Sequence, residues 1–565
     1  MSTPNNMQNH EVFNQSPIFG GINLYSSDKV LGEAVQREGG SGAQKALLAF
    51  GEITGSVKAF DMGRQANEYQ PSLKSFDEKG NRLDFVEYHP SYHQVMGISV
   101  AQGLHCSPWE TGVDGKPQAG ANVIRCAGSF MATQIESGHC CPITMTNAAV
   151  PVLRQQPDVG QPWIKKILNR EYDPRFIPWF EKKSLTIGMG MTEKQGGTDV
   201  RSNTSRAELV GARDGTGDGT GQGTGNGAYL ITGHKWFMSA PMCDGFLILA
   251  QAKGGLSCFL VPRHRPDGSV NAIHFQRLKN KLGNRSNASS EVEFHGAWGQ
   301  MVGEEGRGIP TIIDMVTYTR LDCAVSSAGL MRLVLANAIH HTSYRTVFQK
   351  KLIDQPMMAR VLADMALDCE AATALAFRLA RSFDGLADPN EQAWQRLMTP
   401  VTKYWICKTA PAMAYEAMEC FGGNGYVEDG LMARAYREIP VNAIWEGSGN
   451  VMCLDVLRVM QKSPQSLEMV LAGFERVASQ DKRLKEALDL LHQLLGDKGG
   501  AQRNGRAIVE LLAVIAAGSI LLQHAPDEIS DGFLVTRLGG RWRHTYGGGV
   551  EKIAIAAILA RHSSQ

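Results

Sequence analysis

From Glu33 to Gln155 apolar residues recur at helical spacing in stretches such as SYHQVMGISVAQGLH, and Gly and Pro punctuate the joins. A mostly helical region is predicted there. From about Leu185 the period shortens to runs rich in β-branched and aromatic residues, YLITGHKWFM, DGFLILAQ, LSCFLVP and SSEVEFHG, separated by Gly-rich turns. From Ile309 to Met460 the helical period returns in long amphipathic segments, with Met358, Val361, Leu362, Met365 and Cys369 on one face of one of them. Beyond Gln461 a further segment, Arg483 to Leu495, sets Leu484, Leu488, Leu491 and Leu495 on one side. The pattern predicts an α+β protein in four parts: a leader and helical domain over 1–184, a β domain over 185–308, a helical bundle over 309–460 and an added C-terminal helical domain over 461–565.

Composition narrows the function classes. The 565 residues carry 57 Lys and Arg against 56 Asp and Glu, a formal charge of +1, so no global field draws the molecule onto nucleic acid or anionic membrane. Any such partner must meet a local patch. Eleven cysteines, an odd number without C-x-x-C spacing, read as reduced thiols. The polar start MSTPNNMQNHEVFNQSP lacks the basic and apolar parts of a secretory signal, and a cytoplasmic location is expected. The most apolar stretch, Leu511 to Leu522, contains Gly518 and Ser519 and falls short of the ~20 residues that span a bilayer, so a buried helix and no membrane partner are expected. The Gly/Thr tract from Gly211 to Gly227 lacks G-x-G-x-x-G spacing and reads as a loose hairpin connection. His340 and His341 are adjacent rings that diverge on a helix, and no metal is expected.

The chemistry-bearing segments come in a specific order. GMGMTEKQGGTDV sets glycines beside Thr192 and Thr198, which lets backbone N–H groups and hydroxyls approach a planar or anionic ligand. YLITGHKWFMS, KLGNRSNASSEVEF, GEEGRG, a segment with Arg345 and Phe348, FGGNGY and IWEGSGN follow. In this order they resemble the acyl-CoA dehydrogenase family across roughly residues 90 to 460. MTEKQGG, LKNKLGNRSNAS, REIPVNAIWEGSGN and MCLDVLRV, with the N-terminal VFNQ and CPITMT, are more narrowly similar to its AidB-type branch, associated with the bacterial adaptive response to DNA alkylation.

The resemblance implies FAD as cofactor and a homotetramer. Met191, Thr192, Gly197 and Thr198 fall in the flavin-contacting segment, where Lys194 stands for the usual proline and Thr198 for the usual serine. Phe237 stands where relatives set a tryptophan against the flavin, and Ser239 where a threonine bonds its N5. Arg345 and Phe348 match the element that reaches a neighbouring subunit's FAD, with Gln349 in place of the usual glycine. Gly423 follows Glu419, which replaces a glutamine near the cofactor. Trp445, Gly447 and Asn450 flank Glu446, the implied catalytic base that removes a thioester's α-proton. Relatives without that base carry a glutamate just before a bundle arginine, a slot filled here by Thr319 before Arg320.

The AidB-type likeness also implies double-stranded DNA as a partner, bound through its phosphates, and protection against alkylation with weak or residual oxidation of an acyl-CoA. Residues 461–565 hold thirteen Lys and Arg against eleven Asp and Glu, so contacts must come from clusters. Lys482 and Arg483, Arg503 and Arg506, and Arg537, Arg541 and Arg543 are the candidates. The alternative is a metabolic dehydrogenase of short or branched acyl-CoA with no DNA role, and Trp445, bulkier than the family's tyrosine, would narrow its acyl pocket.

Overall fold

The computed structural model describes residues 10–112, 115–210, 227–497, 499–539, 545–548 and 552–563. The 211–226 tract, Arg541 and Arg543 lie outside the described residues.

The β region is a seven-stranded sheet, preceded and followed by helices. Strand Ile187–Gly190 runs parallel to Gly245–Ala252, which turns back as Gly255–Pro262. The long strands Ala228–Ser239 and Ser289–Val302 pair antiparallel, and Arg206–Leu209 joins Ala228–Ser239 on its other edge. Gly255–Pro262 pairs with the end of Ser289–Val302, and Arg206 pairs with Gln251, so the sheet closes into a barrel without long free edges. A register shift between Lys235 and Met238 frees Trp236 and Phe237 from the ladder and re-aims Phe237, which is half exposed, out of the sheet.

Helix Gly308–Tyr344 is the axis of the helical part. It packs against Ala121–Ile135 and Cys140–Arg154 of the N-terminal region and against Pro356–Asp384 and Pro389–Glu419 of the bundle. Pro at the first turn starts the last two, and the Asp388 carboxylate caps the second by accepting from Asn390 N–H. The N-terminal region also contains a hairpin, Ser72–Phe76 with Arg82–Glu87, inside what the pattern predicts as mostly helix.

The C-terminal region is helical, and its core is continuous with the bundle. Helix Gly505–His524, which contains the apolar 511–522 stretch, is buried against Pro356–Asp384 and Pro389–Glu419, and Ile555–His562 packs on the former. Among the described residues two helices, Gly308–Tyr344 and Gly505–His524, are long and apolar enough to cross a membrane, and both are mostly buried within the protein. Arg537 fastens this region to the bundle, with Nη1 at 2.6 Å from Asp364 and Nε at 2.8 Å from Asp368.

Candidate active site

At the junction of barrel and bundle lies a cavity of about 1450 Å³. Its barrel wall is built from the turn after Ile187–Gly190. Met191 and Thr192 reach the cavity because the next residue, Glu193, is drawn into the protein: its carboxylate accepts from Lys235 Nζ at 2.9 Å, Thr204 N at 2.7 Å and Ser205 N at 3.1 Å. Those donors, and above all the Lys235 charge that opposes desolvation, hold the Glu193 carboxyl well below the usual range. Gly197 is required by space, since a Cβ there would stand 2.5 Å from Thr192 Oγ1. Phe237 and Ser239 complete this wall.

The opposite wall carries Glu446, in the turn between Ile439–Ala443 and helix Gly449–Lys462. Its φ of +57° lies in the left-handed region, which a glutamate avoids, so the surroundings must impose it. Three successive carbonyls of the turn are taken by buried cations: Lys403 Nζ donates to Trp445 O, at 2.9 Å, and to Gly447 O, while Arg320 Nε donates to Glu446 O at 3.0 Å. Arg320 is itself held by Asp455 at 2.6 Å, and Trp445 Nε1 donates to Asn442 Oδ1 at 3.0 Å. Thr319 Oγ1 donates to Glu446 Oε2 at 2.7 Å. Desolvation pushes the Glu446 carboxyl above its ordinary pKa, and the Thr319 hydroxyl, Arg320 and Lys403 offset part of that rise. A carboxylate made more basic and facing a cavity suits a general base. Thr319, Lys403 and Arg320 act on it from far along the chain, and sequence reading identifies Thr319 only as the slot of a missing glutamate.

The two walls suit a flavin dinucleotide. The cavity exceeds the ~300–1,000 Å³ of an ordinary small-ligand site, which leaves room for a dinucleotide and an acyl group. The Thr192, Thr198 and Ser239 side chains line it. Asn284 Oδ1 and the Asn287 amide, on residues 2% and 1% exposed at its edge, have no hydrogen-bond partner among the described residues. Met191, Thr192, Gly197, Thr198, Phe237, Ser239, Trp445, Glu446 and Gly447 all meet at this cavity.

Asn450, Arg345, Phe348 and Gly423 do not line it. Asn450 Oδ1 accepts from Arg506 Nε at 2.9 Å. Arg345 follows helix Gly308–Tyr344 and donates to Asn14 O at 2.8 Å. Phe348, 90% exposed, and Gln349 form a two-residue turn with both φ angles positive, between Thr346–Val347 and Lys350–Lys351. Gly423 lies in the exposed 3₁₀ turn Gly422–Tyr426.

Two of the expected DNA contacts are corrected by their partners. Arg537 is buried in its pair with Asp364 and Asp368 and cannot reach a phosphate. Arg483 is largely committed to Asp481 and Asp531, each at 2.7 Å. Lys482, Arg503 and Arg506 stand at the surface, the first two in loose pairs with Glu486 at 3.4 Å and Asp497 at 3.8 Å.

A barrel between helical layers, with a basic carboxylate and a hydroxyl-lined wall on one dinucleotide-sized cavity, suits a flavin-dependent dehydrogenase. Comparison with known proteins makes this specific. The family model described as the N-terminal domain of the adaptive response protein AidB matches residues 14–174, and the acyl-CoA dehydrogenase middle and C-terminal domain models match 188–297 and 306–461. The chain is 44% identical to AidB of Escherichia coli (strain K12) over 94% of its own length and 95% of that protein. It is 31% identical to acyl-CoA dehydrogenase family member 11 of Caenorhabditis elegans over 85% of the chain and 80% of that protein. The crystal structure of Caenorhabditis elegans ACDH-11 in complex with C11-CoA superposes with a TM-score of 0.83 at 27% identity and 96% coverage of both chains. The chain belongs to the acyl-CoA dehydrogenase family, in its AidB-like branch, and its cofactor is FAD.

Proposed function

We propose that this chain oxidises the α,β carbon–carbon bond of an acyl-CoA thioester with Glu446 as the base. The observation that carries the reading is the Glu446 carboxyl itself, raised in pKa and fixed by Thr319, Arg320 and Lys403 across the cavity from Thr192 and Ser239. Bound FAD supplies a two-electron acceptor for the hydride leaving the β-carbon. Glu446 takes the α-proton, and the substrate leaves as the α,β-unsaturated thioester. Met191, Thr192, Gly197, Thr198, Phe237 and Ser239 would hold the flavin, and the acyl chain would lie between it and Trp445. The C11-CoA complex of the Caenorhabditis elegans protein supports an acyl-CoA as the ligand class. Glu446→Gln keeps shape and loses basicity, so it should retain stoichiometric FAD and lower turnover by at least a hundredfold, in the usual range for a lost general base. Unchanged turnover would assign the proton to another group.

We also propose a second role that rests on the AidB likeness: association of the assembled protein with double-stranded DNA in protection against alkylation. The surface cations Lys482, Arg503 and Arg506, with Arg541 and Arg543, would contact phosphates without reading bases. The exposed Phe348, and Arg345 beside it, would be used in a homotetramer, reaching a neighbour's FAD.

A further inference from the structure

The wall that carries Ser239 continues into polar groups that no step above uses. Ser239 Oγ lies 3.2 Å from Ser289 Oγ, across the pairing of strands Ala228–Ser239 and Ser289–Val302. Behind it, Lys281 Nζ donates to the same Ser289 oxygen at 3.0 Å and to the Asn287 carbonyl. Lys281 borders the cavity beside Cys141, yet its hydrogen bonds go to neutral oxygens, and Cys141, Glu438 and Glu136 act on it without a hydrogen bond. An ammonium brought out of water beside neutral oxygens recovers only part of its lost hydration. Consistent with this cost, desolvation pushes the Lys281 ammonium down to about 8. A lysine kept there for packing alone would be poorly used.

We propose that Lys281 is a positioning residue for the flavin, acting through Ser289 and Ser239 on the atom that receives the hydride. The inference rests on the reading of Ser239 as the hydroxyl that faces this atom. An ammonium has donors and no acceptor, so Ser289 must accept from Lys281. Its own proton is then free to turn to Ser239, which leaves the Ser239 proton for an acceptor in the cavity, where the Cys141 thiol also lies within its reach. The charged end fixes the direction of the chain. The same charge favours reduction: when Glu446 keeps the α-proton and the flavin gains a hydride, two electrons and one proton, the ring acquires one net negative charge in a site of low dielectric.

The test is an anaerobic redox titration of the full-length FAD-loaded protein against a reference dye. Lys281→Met should lower the ratio of reduced to oxidised flavin at a fixed poise at least tenfold, which is ~30 mV for a two-electron couple. Lys281→Arg should restore the ratio to within threefold, and Ser289→Ala, which interrupts the chain but leaves the charge, should lower it at least threefold. A ratio within twofold of the wild type in Lys281→Met, with one FAD still bound per chain, overturns the proposal. Should that variant fail to fold, Ser289→Ala decides alone, and an unchanged ratio there is equally contrary. Ser239→Ala separates this outcome from failure of the parent reading. If it shifts the ratio while Lys281→Met does not, the flavin site stands and the relay falls. If Ser239→Ala also changes neither the flavin spectrum nor the ratio, the placement of the flavin falls with it.

Discussion

At the residue scale the site is a contest over one proton. Burial raises the affinity of Glu446 for it, and the Thr319 hydroxyl lowers that affinity by bonding the ionised form. Thr319→Val keeps the volume and removes the bond, so the Glu446 pKa should rise further. A base works only when ionised, so the acid limb of the kcat–pH profile should move to higher pH. Below that limb kcat should fall roughly tenfold, the effect of one lost hydrogen bond to a charged group. A profile that stays in place would show that the hydroxyl does not tune the base. Position 319, the slot that the family resemblance marks for an alternative base, reaches the Glu446 carboxyl from the neighbouring helix. Glu446 itself was legible in the sequence through IWEGSGN. Thr319 was legible only as the slot of a missing glutamate, and Lys403 and Lys281 were not legible as parts of the site. They are single polar residues in long segments, and neither a period nor a local motif marks a bond to a residue on another element, 127 positions away in the case of Thr319.

At the scale of elements, charge does the fastening. Lys403, from the middle of helix Pro389–Glu419, holds the carbonyls on both sides of Glu446. Lys403→Met should leave those carbonyls unpaired and release the positive φ of Glu446. The expected result is a loss of turnover of at least tenfold with the bundle still folded, checked by circular dichroism beside the assay; undiminished turnover would remove Lys403 from the account. Arg537 does the same between the bundle and the C-terminal region. Arg537→Met takes the Arg537 guanidinium away from two buried aspartates, and removing one partner of a buried pair costs about 3–5 kcal/mol. A matching loss in denaturant unfolding, with faster hydrogen exchange in helix Asp527–Leu538, should follow, and unchanged stability would contradict it. Helices and barrel strands were readable because their periods of 3.6 and 2 are written in the sequence. The hairpin Ser72–Phe76 with Arg82–Glu87 escaped because it is a short, mostly exposed alternation set among helices. Arg537 could be counted among basic residues, but its two aspartates lie more than 160 positions away, so its burial could not be seen.

At the scale of the whole molecule, a net charge of +1 and paired arginines leave few cations for a polyanion. If DNA binds through Lys482, Arg503 and Arg506, affinity for generic duplex should fall with salt by roughly one unit of log–log slope per phosphate neutralised. Charge reversal of all three should weaken binding at least tenfold without changing flavin content. Salt-independent binding, or full binding by the reversed variant, would place the contact elsewhere. The central claim is the pairing of Glu446 with a bound flavin across one cavity. Its most direct test is anaerobic titration of the purified FAD-loaded protein with a saturated acyl-CoA of the C11 class, followed through the visible flavin band. The band should bleach in the wild type with formation of the α,β-unsaturated thioester, and should persist in Glu446→Gln although the ligand still perturbs the spectrum. A wild-type flavin that stays oxidised with acyl-CoA bound, or a Glu446→Gln flavin that bleaches at the wild-type rate, would contradict the account.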